Sequence, residues 1–387
     1  MTQRIYLDNA ATSFPKPECV YDAVDRYNRE SGCAVGRGTS QESTRLQQTV
    51  LRCRQLASEL VGAESPERII FTSNGTDSLN LAIHGLLWPG DHVVTSRLEH
   101  NSVIRPLREL ERRWGIGLSF VETDETGLVD PDDFRKAMRP NTRLVALVHA
   151  SNVTGTIQPV QEIAQQACDA GAFVLIDAAQ SAGHLPIDLH TLPADLLACP
   201  GHKGLLGPLG TGLLYVRPGI EEHLRSIRQG GTGSDSESEF QPTTLPEKYE
   251  SGNHNTPGLV GLEAALEWLH ERTVESIREH EQALTRRLLA GLSEIKNVRS
   301  HGTPDASGRV GVASVTVEDA EPQVVATILE EHFRIQTRAG LHCAPGVHRA
   351  LGTFSEGGTI RFSVGPMTTT DEIDAALEAL GGIAESL

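Results

Sequence analysis

Between residues 60 and 220, short and largely apolar runs alternate with segments of helical periodicity. The runs are "RIIFTS" (68–73), "HVVTS" (92–96), "LSFVET" (118–123), "RLVALVH" (143–149), "AFVLIDA" (172–178), "ADLLAC" (194–199) and "TGLLYV" (211–216). Helical spacing falls between them, over 77–87, 101–114, 131–138 and 160–171. Strands that are apolar on both faces need cover on both faces, so the alternation predicts an α/β fold with a mostly parallel central sheet flanked by helices. In such sheets ligands bind beyond the carboxyl ends of the strands. The residues that follow each strand are therefore the first candidates for function.

The remainder of the chain reads differently. From 228 to 256 it is polar, which by itself suggests a flexible linker. Helical stretches follow over 257–271 and 273–295. Then come a strand (310–317), a helix (321–332), a loop with Cys343, a strand (359–364) and a helix (371–386). This pattern predicts a large domain over 15–256 and a smaller α+β C-terminal domain over 257–387, with residues 1–14 packing against the latter.

Composition removes several function classes. A net charge of −17 disfavours nucleic acid and anionic membranes as partners, though it leaves room for a local cationic pocket. No basic stretch followed by an apolar one marks a signal peptide, and no apolar run approaches the ~18 residues that span a bilayer. None of the six cysteines forms a C-x-x-C pair, so neither a zinc site nor a disulfide framework is suggested. Reduced thiols in a cytoplasmic protein without a bound metal are the simplest expectation.

Several strand ends carry chemistry. "TSNGTDSLN" joins a strand to a helix, so the amides of Gly75, Thr76 and Asp77 are expected at a helix N-terminus, a ready anion site. His100 follows one strand, Asn152 another. Asp177 ends a third with Gln180 three residues on, and His202 and Lys203 follow a fourth in "CPGHKGLLGPLG". A carboxylate at a buried strand tip is costly without a positive partner. A lysine in a crowded loop can become a nucleophilic amine through a depressed pKa. Each residue also has a plainer reading: Asp177 and His100 as caps, Lys203 as a solvated surface lysine. Their joint placement on one sheet edge favours an anion site, a carboxylate for a pyridinium and a Schiff-base lysine, the set that pyridoxal 5'-phosphate requires. No phosphate-loop or dinucleotide signature competes with it.

Nine ordered motifs, "YLDNAATSFPKP", "FTSNGTDSLNLAI", "LEHNS", "SNVTGTIQPV", "IDAAQSAGH", "GHKGLLGPLGTGLLY", "ESGNHNTPG", "RAGLHCAP" and "IRFSVG", run nearly end to end. In them the chain resembles fold-type I pyridoxal-phosphate enzymes of the class V aminotransferase group, and among these the group II cysteine desulfurases. The resemblance implies that Lys203 binds the cofactor as a Schiff base, His100 stacks on its ring, Asp177 pairs with the ring nitrogen and Gln180 bonds the phenolic oxygen. Thr76, Asp77 and His202 would hold the phosphate. Asn152 and Arg361 would take the substrate carboxylate, with Arg338 nearby, and Cys343 would accept sulfur. It further implies L-cysteine as substrate, a homodimer in which the 228–256 segment reaches the partner's active site, and a sulfur-acceptor protein such as iron–sulfur cluster assembly uses. Selenocysteine lyase, cysteine-sulfinate desulfinase and transaminase activities are the alternatives on this scaffold. A non-catalytic scaffold protein that keeps the fold is the alternative of another class.

Two departures stand out. Pro200 occupies the place, two residues before the histidine of the GHK motif, where relatives carry Ser or Thr, and it offers neither hydroxyl nor N–H. Asn253 replaces a threonine expected to donate to the partner's phosphate, and its amide can still donate. Cys343 lies among Arg338, Gly340, His342 and Pro345, a polar, electropositive setting that favours thiolate over a buried structural thiol. The other cysteines, Cys19, Cys33, Cys53, Cys168 and Cys199, read as structural.

Overall fold

The computed structural model describes residues 4–33, 35, 40–234 and 237–386. Strand β1 (Ile5–Tyr6) is followed by helices α1 (Glu18–Arg26) and α2 (Gln41–Val61). No element is read from the sequence between 15 and 60, because both helices are rich in polar residues. In α2 only a narrow stripe of Leu46, Val50, Cys53, Leu56, Ala57 and Val61 is apolar and buried. Ser40 caps the helix by accepting from the N–H of Ser43, and Gly62 ends it in the left-handed conformation.

The alternating region forms β2 (Ile69–Thr72), α3 (Gly75–Leu86), β3 (His92–Ser96), α4 (Asn101–Trp114), β4 (Gly117–Val121), α5 (Pro131–Ala137), β5 (Thr142–Val148), α6 (Val160–Asp169), β6 (Phe173–Asp177), β7 (Leu196–Pro200) and β8 (Gly212–Val216). The seven strands make one sheet in the order β2-β8-β7-β6-β5-β3-β4. Strand β8 runs antiparallel to both neighbours, and the pairs from β7 to β4 are all parallel. Successive side chains serve opposite faces. Leu144 and Ala146 of β5 join the core under α3 and α4, whereas Val145 and Leu147 join the one under α2, α6 and a later helix, α7 (Thr256–Arg272).

Beyond α7 come α8 (Val274–Glu294), β9 (Val298–His301), β10 (Val312–Val317), α9 (Pro322–Phe333), β11 (Ile335–Gln336), β12 (Arg338–Gly340), α10 (Pro345–Ala350), β13 (Thr359–Ser363) and α11 (Thr370–Ser386). An antiparallel sheet β12-β13-β10-β9 shares a separate core with α8, α9 and α11, centred on Leu288, Val315, Leu329, Phe362 and Leu380. The N-terminal segment lies against this second body. Its β1 pairs in parallel with β11, and Asp8 bridges Ser363. Residues 1–3 of the expected 1–14 segment lie outside the described residues.

Two details depart from the sequence expectations. Helix α7, assigned to the C-terminal part by a boundary at 257, buries Leu259, Leu262, Ala265, Leu266 and Leu269 in the large core. The change of core comes within α8, where Ile277 still joins the large core and Leu284 joins the C-terminal one. The 228–256 segment is no free linker at its end. Glu250 forms a buried two-pronged ion pair with Arg54 at 2.7 and 2.9 Å and accepts from the Phe71 N–H, while the buried Tyr249 donates to the Leu224 carbonyl. Among the described residues no helix is long and apolar enough to cross a membrane.

Candidate active site

The carboxyl ends of β5, β6 and β7 and the N-terminus of α3 converge on one cavity, which Lys203, Asp177, His100 and Gln180 all line. Lys203 is projected by a tight turn after β7, in which Leu206 N–H donates to the Lys203 carbonyl and Gly207 N–H to that of Gly201. The N-terminal segment grips the same loop from outside: Ser13 N–H and the hydroxyls of Thr12 and Ser13 all donate to the His202 carbonyl. Burial lowers the Lys203 amine to about 8, against the opposing pull of Asp177. Asp177 is 3% exposed, and burial raises its carboxyl although the Ala179 N–H and Lys203 both favour the charged form. Gln180 donates to the carbonyl of Ala10, which fixes its amide at the cavity wall.

Helix α3 aims its first turn into this cavity, with Gly75 and Thr76 on the lining. The backbone of Gly75 packs closely on Pro200: a Cβ there would lie 3.2 Å from Pro200 Cδ, so a side chain would require the ring to give by a few tenths of an ångström. Pro200 faces the cavity with them, so the position that would carry a hydroxyl presents a pyrrolidine ring. Asp77 does not join the site. Its N–H donates to Asn74 Oδ1, and its carboxylate accepts from Ser73 N–H and pairs with Arg228. Its polar groups are thus spent on the helix cap and on Arg228, outside the cavity. Ser102, unremarked in the sequence, shares its hydroxyl with Thr76 Oγ1 at 2.7 Å and His100 Nδ1 at 2.8 Å. It also donates its N–H to that ring nitrogen. The histidines His100 and His202 are both lowered to about 4 by burial and by nearby cations, Lys203 foremost. Both are neutral at pH 7, and Nδ1 of His202 is buried without a partner.

Arg361, 2% exposed, extends from β13 and is bracketed by Asp8 Oδ1 on one Nη and the Asn152 backbone carbonyl on the other; its Nε is buried without a partner. Arg338 stands directly opposite it on β12. The Asn152 side chain lines the cavity but spends one N–H on the His342 carbonyl at 2.6 Å. Asp8 carries no local sequence signal of this role, because its partner lies 353 residues away.

Cys343 is exposed, and it and His342 both have left-handed backbones, at φ 59° and 49°. Two adjacent non-glycine residues in that region are strained and persist only where contacts over-determine them. Here Asn152 holds the His342 carbonyl, Asn101 N–H holds that of Cys343, and Thr359 meets the His342 ring. Cys53 and Cys199 are buried, Cys168 partly so; Cys19 is exposed on α1, and Cys33 lies outside helix and strand. Asn253 is not part of this cavity; it is exposed and lines a separate depression with Ser73, Arg228 and Glu250. No cluster of His, Cys, Asp or Glu among the described residues suits a metal ion.

Comparison with known proteins places this arrangement in a family. Residues 5–376 match the family model described as Aminotransferase class-V. A probable cysteine desulfurase of Methanothermobacter thermautotrophicus is 36% identical, over 99% of this chain and 96% of its own length. A cysteine desulfurase of Haloferax volcanii is 31% identical, over 99% of this chain and 90% of its own. Among solved structures, the apo cysteine desulfurase of Thermococcus onnurineus superposes with a TM-score of 0.93 at 34% identity, covering 99% of this chain and 95% of that one. The cysteine desulfurase CsdA of Escherichia coli, in an S-sulfonic acid form, gives a TM-score of 0.90 at 29% identity with the same coverage. From its matched length and these relatives, the chain belongs to the class-V aminotransferase family.

Proposed function

We propose that this protein is a pyridoxal 5'-phosphate-dependent cysteine desulfurase, which converts L-cysteine to L-alanine and leaves the sulfur as a persulfide on Cys343. The observation that carries the reading is the convergence of Lys203, Asp177 and His100 on one cavity at the N-terminus of α3. The residues present fit the cofactor. A half-buried lysine with a lowered pKa, a buried carboxylate and a neutral His202 with an orphaned Nδ1 beside free helix amides are the donors and acceptors it requires.

When bound, pyridoxal phosphate supplies an electron sink for charge developing at the substrate Cα. Lys203 would hold it covalently and would carry the proton at the substrate Cα; an amine near pKa 8 is a serviceable base at neutral pH. Asp177 would hold a proton on the ring nitrogen, and His100 would stand by the ring as a neutral imidazole. Thr76, Gly75, Ser102 and His202, which line the same cavity, would take the phosphate. Arg361, aimed by Asp8 and Asn152, takes the substrate carboxylate as a fork. The sulfur of Cys343 then attacks the substrate sulfur: the S–S bond forms as the C–S bond breaks, and protonation of the carbon completes alanine. Cysteine and the enzyme thiol supply every atom of alanine and persulfide, so no external oxidant or reductant is needed.

The 228–256 segment is read as serving a second subunit, because Asn253 lies outside the cavity of its own chain and Phe240 is 85% exposed. Incubation of cofactor-loaded protein with L-cysteine, selenocysteine, cysteine sulfinate, or alanine with a keto acid, followed by assay of sulfide and alanine, tests the reading. Alanine and protein-bound sulfur from cysteine support it; transfer of an amino group alone contradicts it.

A further inference from the structure

Behind Lys203, the segment that follows β6 crosses the segment that follows β7. The contact is backbone on backbone: a Cβ on Gly183 would lie 2.1 Å from the Gly204 carbonyl oxygen, and a Cβ on Gly204 would lie 2.2 Å from that of Ala182. One side chain closes this crossing. The Cδ2 and Nε2 edge of the His184 ring would stand 2.6 and 2.7 Å from the same Gly204 Cβ, so the ring edge presses on the residue next to Lys203. On its other side, His184 Nδ1 meets both carboxylate oxygens of Glu281, at 3.0 and 2.9 Å. Glu281 is 1% exposed and sits on α8, whose Leu284, Leu288 and Leu292 belong to the C-terminal core.

The orientation of the ring is fixed by this pairing. A carboxylate so buried needs a donor, and turning the imidazole over would replace its N–H with a carbon edge. Holding Nδ1 on Glu281 therefore holds the opposite edge on Gly204. We propose that His184 and Glu281 are positioning residues for Lys203: the His184 ring is the wall that sets the Lys203–Gly204 backbone, and Glu281 sets the ring from the C-terminal body. Neither residue lines the cavity, so both act through the lysine loop. The inference deepens the reading of Lys203 as cofactor anchor and, for its catalytic consequence, rests on that reading.

The test reads Lys203 directly in cofactor-free protein, as the pH dependence of its acylation by acetic anhydride, quantified by peptide mass mapping. Wild type is expected to show a midpoint near 8, the value set by burial. In His184→Asn the side-chain amide can still donate to Glu281, but the ring edge on Gly204 is gone. This variant is expected to fold with a near wild-type melting temperature and to raise the midpoint by about one unit or more towards the ordinary lysine value. Glu281→Ala is expected to do the same. Glu281→Gln, whose amide oxygen still accepts from Nδ1–H, keeps the wild-type midpoint. In the holoenzyme, His184→Asn lowers kcat about tenfold or more with little change in KM. A folded His184→Asn protein that titrates at the wild-type midpoint overturns the proposal, as does a Glu281→Gln protein that shifts as far as Glu281→Ala. The titration involves neither cofactor nor cysteine, so failure to bind the one or consume the other would contradict the functional reading and leave this result separate.

Discussion

The backbone N–H of Asn101 donates to the carbonyl oxygen of Cys343 at 2.8 Å. Asn101 starts α4 directly after His100, and Cys343 belongs to the loop after β12 of the second body. That hydrogen bond, with the one from Asn152 to His342, stitches the exposed thiol to the sheet edge where Lys203 and Asp177 meet. It ties the two bodies at the one place where the proposed chemistry needs both.

Asp177→Asn removes the charge that would hold a proton on the cofactor ring while keeping the side chain's size. The variant is expected to fold and to bind cofactor. Its turnover of cysteine should fall by about two orders of magnitude or more, as losses of electrostatic stabilisation at a reacting centre commonly do. Turnover near the wild-type rate at matched cofactor occupancy would remove Asp177 from this role.

Lys203 gives a pH-dependent stability. Its folded-state pKa is about 8, below the ordinary 10.5. Between those values the unfolded chain holds a proton that the folded chain has released, so this residue's contribution to stability rises with pH across that window. Below pH 8 the folded protein carries the full cost of a confined ammonium. Cofactor-free Lys203→Met is therefore expected to melt above wild type at pH 7, with the gap narrowing as pH rises past 8. A gap that is constant or widens with pH would show that the amine is not held in this way.

Much of this was legible in the sequence. The central parallel strands β5, β6 and β7 are legible because they are largely apolar on both faces, and the residues at their ends are local to them. Asp8, Ser102, His184 and Glu281 were not legible, for different reasons. Asp8 acts on Arg361 across the whole chain, and Glu281 is one acidic residue in a charged helix that happens to face a buried histidine. Ser102 looked like an ordinary helix-start serine. At Asp77 a helix N-terminus suggests an anion site, whereas in the fold its amide is taken by the Asn74 cap. The packing of helix α7 is not legible either, because its neighbours in sequence are not those its leucines pack against.

Pro200 stands beside Gly75, Thr76 and His202 at the proposed phosphate end. Pro200→Thr would add a hydroxyl there. One hydrogen bond to a charged group contributes about 1.5 kcal/mol or more, so the dissociation constant for pyridoxal phosphate should fall roughly tenfold. Equilibrium dialysis against the cofactor measures it; unchanged or weaker binding would mean that the loop already satisfies the phosphate by another route.

The central claim is that sulfur leaves the substrate onto Cys343. A transaminase on this scaffold has no use for that thiol, since Lys203 alone can carry the proton. Cys343→Ser preserves the size of the side chain but not the nucleophilic sulfur. The most direct test is the rate of alanine formation from L-cysteine by wild type and Cys343→Ser at matched cofactor occupancy, with persulfide on the protein scored by mass spectrometry. The account predicts that the variant binds cofactor and cysteine normally, carries no persulfide and forms alanine at about one hundredth of the wild-type rate or less. Equal rates of alanine formation by the two proteins would contradict it.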